Sequence, residues 1–252
     1  MNLIQQHCRR VLDQPLDRRQ QGCADGAVDD AVIDRILFLD GVPNMQRYFP
    51  VVVGEDAVEQ HKNANIPVLA RYAKDGYAIV SAVPSCTLMF KQEIPLMYPG
   101  DADVALVRDA MWDPFEYLMA RKRDGLLKTE FTVPLGKISY QIPCHGRVQN
   151  IGKKTEEMLK MVPGTSVHTH ERCSGHAGTF GVKKATHQQA MKIGKPLFKK
   201  MAEHPQGGLP DYISSDCPLG GHHIAQGFEA SGQAVPELQH PLSLVAKAYG
   251  LK

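Results

Sequence analysis

Four cysteines, Cys86, Cys144, Cys173 and Cys217, each stand at the exit of a short run of small, aromatic or β-branched residues and beside a proline or glycine, in "YAIVSAVPSC", "KISYQIPCHG", "SVHTHERCSG" and "YISSDCPLGG". The thiolate is the form of cysteine that ligates metals, and backbone N–H groups at a helix start favour it. The sequence therefore predicts lowered thiol pKa values at these exits. Ligation by sulfur from spaced cysteines is the usual protein contribution to an iron–sulfur cluster. Gly146, Gly175, Gly178, Gly220 and Gly221 would let the backbone approach a bulky group closely. His145, His176, His222 and His223 all lie within six residues of a cysteine, so the same set could serve zinc as well as iron. A single cysteine is often just a small buried hydrophobe. Four in matching settings weaken that account, whereas Cys8 and Cys23 lack the setting and read as non-ligands.

The elements that must position these residues follow from periodicity. "IPVLARYAKDGY" reads as a helix stopped near Gly76 and "YAIVSAV" as a short buried strand. "DVALVRDAMWDPFEYLMARKRDGLL" reads as a helix interrupted at Pro114, "GKISYQI" as a strand and "KKTEEMLKMV" as a helix. "TSVHTHERC" and "DYISSDC" alternate like strands, and "HHIAQGFEAS" reads as a helix. Met89, Met97, Met111, Met119 and Trp112 are expected in the core. Strand, cysteine, Pro or Gly, helix: this order implies an α/β fold of parallel sheets flanked by helices. Ligands of such sheets collect beyond the carboxyl ends of the strands, so all four cysteines are expected on one rim. "DGYAIVSAVPSC" and "PDYISSDC" echo one another, which points to two related units. Residues 1–60 have little pattern beyond a short amphipathic stretch at Ala31, Ile33, Ile36 and Leu37. The expected division is therefore 1–60, 61–130 and 131–252.

Composition narrows the function classes. At 252 residues the chain can bury a core without disulfide staples. Its 29 basic and 27 acidic side chains leave a net charge of +2, with no long basic run to track a phosphate backbone. Nucleic acid is an unsuitable partner. No stretch reaches the roughly 18 to 20 apolar residues of a membrane span, and the start lacks a signal-peptide core. A cytoplasmic location is expected, and there six scattered cysteines read as thiols or metal ligands. No G-x-G-x-x-G, P-loop or G-x-S-x-G motif occurs.

Taken together, "PSCTLMFKQEIPLMYP", "IPCHGRVQNIG", "ERCSGHAGTFGVKK" and "SDCPLGGHHIAQG" resemble the heterodisulfide reductase-related iron–sulfur proteins. The resemblance is closer to the group that includes the cysteine-rich part of the anaerobic glycerol-3-phosphate dehydrogenase C subunit, and it runs from about residue 60 to the end. The resemblance implies a duplicated cysteine-rich α/β domain, each copy with a leading Cys, a Cys-Cys-Gly and a Cys-x-x-Cys. It implies one [4Fe-4S]-type cluster and electron transport as part of an oxidoreductase, not independent catalysis. On this pattern Cys144 is the leading cysteine of the second copy, Cys173 opens its Cys-Cys-Gly and Cys217 opens its Cys-x-x-Cys. Ser174 and Gly220 replace the partners. Cys86 ends the first copy, where Val83 replaces a cysteine. The implied ligands are Cys144, Cys173 and Cys217, with a fourth from Cys86 or from a histidine, His176 or His222. The implied partners are a flavin dehydrogenase subunit or a rubrerythrin-like protein, with a quinone or disulfide acceptor, peripheral to the inner membrane through that partner. Zinc binding, or a metal-free structural role, is the alternative from the same residues.

Overall fold

In the computed structural model the described residues are 36–38, 55–178 and 180–251. They belong to two compact units, which divide between Leu126 and Leu127. Cys8, Cys23, Ala31 and Ile33 lie outside the described residues.

The N-terminal unit orders its elements as β1 (Ile36–Phe38), α1 (Glu55–Lys74), β2 (Ala78–Val80), α2 (Pro84–Leu88), a π-helical turn (Met89–Glu93), α3 (Ile94–Met97), α4 (Ala102–Ala110), β3 (Met111–Trp112) and α5 (Pro114–Arg123). Its strands form a parallel sheet in the order β1-β2-β3. Ile66, Leu69, Ile79, Phe90, Val104, Val107 and Met111 form one buried cluster. The helix expected across Asp103–Leu127 is instead divided by β3. Met111 and Trp112 pair with Ile79 and Val80, and the buried carboxylate of Asp113 restarts the chain as α5 by accepting from the Phe115 and Glu116 amides at 2.9 and 3.2 Å. Pro114 then costs nothing, because the first helical N–H has no partner to lose. Met97, expected in the core, is exposed.

The C-terminal unit runs β4 (Gly136–Gln141), α6 (Cys144–Arg147), α7 (Lys154–Leu159), β5 (Thr165–His170), α8 (His187–Met201), β6 (Tyr212–Ser215), α9 (Pro218–Ala230), β7 (Glu237–Leu238) and α10 (Pro241–Ala248). All its strands are parallel, in the order β5-β4-β6-β7. Ile138, Ser139, Tyr140 and Gln141 of β4 are all buried although successive side chains point to opposite faces. The sheet is therefore covered on both sides, as parallel sheets require. Leu197, Phe198 and Met201 of α8 pack with Ile213 of β6 and Ile224 and Phe228 of α9. Parallel sheets flanked by helices are thus the observed architecture of both units. Among the described residues, no helix is long and apolar enough to cross a membrane.

Candidate metal centre

Sheet order decides where the cysteines of the C-terminal unit fall. From β4 the chain moves to β5 on one side, and from β6 it moves to β7 on the other. The carboxyl ends of β4 and β6 therefore flank a switch point, the usual ligand crevice of an open parallel sheet. Gln141 is in register with both His170 and Ser215, so the three adjacent strands β5, β4 and β6 end level. Cys144 follows β4, Cys173 follows β5 and Cys217 follows β6. Cys86 lies within α2 of the N-terminal unit, so the expectation of four cysteines on one rim becomes three on one sheet and one after β2 of another.

A single buried side chain clips the three exits together. The Gln141 amide donates to the carbonyls of Ile142 at 2.7 Å and Arg172 at 3.1 Å, and its oxygen accepts from the Ser215 hydroxyl at 2.8 Å. Ser215 Oγ in turn accepts from the Cys217 amide at 3.2 Å. Beside it, buried Asp216 accepts from the Tyr140 hydroxyl, and from Thr155 at 3.0 Å. Arg147 adds an outer tie, donating to the Glu171 carbonyl at 3.1 Å with its other nitrogen 3.6 Å from Cys144 Sγ. Sequence reading missed Gln141 and Asp216. A polar residue inside an apolar strand was the signal, because such a group must find partners when buried.

The sulfurs sit in different settings. Cys144 and Cys173 are exposed and Cys217 is half-buried. Cys173 Sγ accepts from the Gly175 amide, and Cys217 Sγ from the Gly220 amide, each at 3.3 Å. Cys217 is also the N-cap of α9. The expected lowering of thiol pKa fails at Cys217. Burial pushes its thiol up and outweighs the N–H groups of Gly220 and Leu219, with the nearby Asp216 and Cys144 adding to the rise. The donors suit a thiolate-held metal in kind and in placement on one rim. Among the described residues, however, no three or more His, Cys, Asp or Glu side chains are already arranged to hold a metal ion.

The histidines divide by helix geometry. His222 is exposed on α9, whereas His223, one position on, is buried, its ring centroid 5.9 Å from that of His176 and 5.8 Å from that of His187. His176 is buried against Gly181, where a Cβ would stand 2.8 Å from its Nδ1. Among the described residues, its Nε2 and that of His223 find no hydrogen-bond partner. Burial holds both rings below the ordinary histidine pKa.

A second histidine group lies on β5 and beyond α8. The His168 ring is 4.2 Å from that of His170 and 6.0 Å from that of His204. Burial, then the charges of His168, Lys200 and His204, lowers His170 from 6.5 to about 4. The native state thus keeps His170 neutral where the unfolded chain binds a proton. Between pH 6.5 and about 4, acidification must therefore destabilise this unit. The expected loss approaches roughly 3 kcal/mol below that window. Thermal denaturation across the window should show it, with a flatter profile for His170→Gln; parallel profiles would contradict the assignment.

The fold and rim define a class. Residues 138–225, from β4 into α9, match the model of the CCG cysteine-rich domain. The chain is also similar to the anaerobic glycerol-3-phosphate dehydrogenase C subunit of Escherichia coli strain K12, 26% identical over 174 residues. The same protein of Escherichia coli O157:H7 matches equally. That similarity covers 69% of this chain and 41% of the relative, so the chain spans about two-fifths of the curated proteins it matches.

Proposed function

We propose that the C-terminal unit holds one iron–sulfur cluster of [4Fe-4S] type through Cys144, Cys173 and Cys217 and relays single electrons within a larger oxidoreductase. The supporting observation is the level ending of β4, β5 and β6, which brings three cysteine-bearing turns to the switch-point edge of one sheet. The cluster would supply the redox chemistry. The chain's own part is placement: Gln141 clips the turns, two glycine amides donate to sulfur, and Arg147 sets positive charge beside Cys144. N–H···S bonds and nearby positive charge raise a cluster's potential. Donor and acceptor follow the family resemblance: a flavin-bearing dehydrogenase subunit or a rubrerythrin-like protein on one side, a quinone or disulfide on the other, in the cytoplasm and peripheral to the inner membrane through that partner.

The two units read as diverged copies. Val83 and Cys217 both follow a strand, both cap a helix in extended conformation (φ −110°, ψ 114° and φ −91°, ψ 107°), and both precede proline. On that alignment Cys86 falls on Gly220, so each copy keeps a different half of one Cys-x-x-Cys. Cys86 is the first copy's own candidate ligand, and His176 ranks above exposed His222 as a histidine ligand.

Metal analysis with electron paramagnetic resonance on anaerobically purified protein tests the reading. A brown protein whose visible absorbance bleaches on reduction supports it; a colourless protein loaded with zinc removes it. Cys217 Sγ already caps α9 by accepting from the Gly220 amide, a role that needs no metal, and this makes a metal-free interaction subunit the second reading.

A further inference from the structure

Between Cys217 and the turn after β5 lies a small space that Gly220 leaves empty. A Cβ placed on Gly220 would meet Cys217 Sγ at 3.5 Å and Ser174 Oγ at 3.5 Å, with nothing nearer. Thiol and hydroxyl therefore front one space over the first turn of α9, within twice that distance of one another. The hydroxyl is held there by the main chain. Gly175 has φ +85°, and a Cβ on it would lie 2.2 Å from the Ala190 carbonyl oxygen and 2.8 Å from the Gly194 nitrogen. A Cβ on Gly194 would lie 2.4 Å from the Ser174 carbonyl oxygen. The 173–175 turn thus lies flush on α8, backbone against backbone, and cannot swing Ser174 away without lifting off the helix. The His176 amide donates to Ser174 Oγ at 3.4 Å, a contact that favours negative charge on that oxygen.

From this geometry we infer that Ser174 is an oxygen ligand to the metal centre proposed above, an inference that rests on that reading. Three thiolates and one serine oxygen complete a four-ligand set from the C-terminal unit alone. The serine proton leaves to solvent when the metal–oxygen bond forms, as a thiol proton does. Iron and zinc both accept oxygen donors, although sulfur suits them better.

The test compares the full-length protein with Ser174→Ala and Ser174→Cys, purified anaerobically. Measured are iron per chain, the electron paramagnetic resonance spectrum, the rate of iron release to a chelator, and thermal unfolding of the metal-free forms. Ser174→Ala should unfold like the parent when metal-free, yet release iron about tenfold faster or more, with an altered resonance spectrum. Ser174→Cys should hold iron more tightly and gain sulfur-to-iron absorbance. If the parent binds iron and Ser174→Ala matches it in content, spectrum and release, the serine assignment is wrong while the cluster stands. If the parent binds no iron under any anaerobic preparation, the cluster reading itself falls.

Discussion

Cys217→Ser should strip most of the iron of the proposed centre from anaerobically purified protein while leaving the unfolding transition of the metal-free state intact or slightly raised. The two halves of this expectation come from one position. Cys217 is a ligand in the proposed set, and it is the N-cap of α9, where its sulfur accepts the Gly220 amide at 3.3 Å. Serine is a favoured N-cap residue whose oxygen takes the same hydrogen bond. The cap survives, but a soft sulfur donor is exchanged for a hard oxygen one, and iron affinity should fall about tenfold or more. Cys173→Ser should lose iron in the same way, because exposed Cys173 serves no packing role that serine would disturb. Iron content in both variants equal to that of the parent, measured by chelator titration, would refute the ligand set.

Gly175→Ala is the substitution expected to cost most in stability. Alanine at φ +85° loses about 1 to 2 kcal/mol to the left-handed backbone. Its methyl group would also stand 2.2 Å from the Ala190 carbonyl oxygen, a main-chain atom of α8 with no freedom to move aside. Overpacking of this kind adds about 1 to 3 kcal/mol. Gly232 separates the two effects: it has φ +69°, but a methyl group added there would meet nothing within 4 Å, so Gly232→Ala should show the backbone cost alone. Urea unfolding of both variants measures the difference, and equal losses would show that the turn is not pressed on α8. Where Gly175→Ala still folds, the turn must lift, and iron binding should weaken with it.

The cysteine-bearing strand exits were legible because two local signals coincide there. Alternation marks the strand, and a cysteine beside Pro or Gly marks its end; β4, β5 and β6 emerged on that basis. Helix α8 was not legible, because Gly194 and Pro196 look like breakers inside it. The reason for Gly194 is tertiary: a side chain there would strike Ser174. Met111 and Trp112 continued an apolar helical period, yet they pair with β2, and only the buried Asp113 cap distinguishes the two outcomes. The burial of the histidines was not legible for a related reason. His222 and His223 differ by a single helical step of rotation, and which of them turns inward is set by the helices packed around α9, beyond the reach of spacing. Gln141 illustrates the same boundary, since its three partners come from three separate turns.

The clip formed by Gln141 bears on how such a protein is made. Its partners, and the apolar cluster of Leu197, Ile213, Ile224 and Phe228 in the same unit, are all supplied by the polypeptide. If the unit holds the proposed cluster, the chain's own contacts can close this fold without help from it. Maturation would then be a late insertion at a finished edge, and chelation should empty the unit without unravelling it.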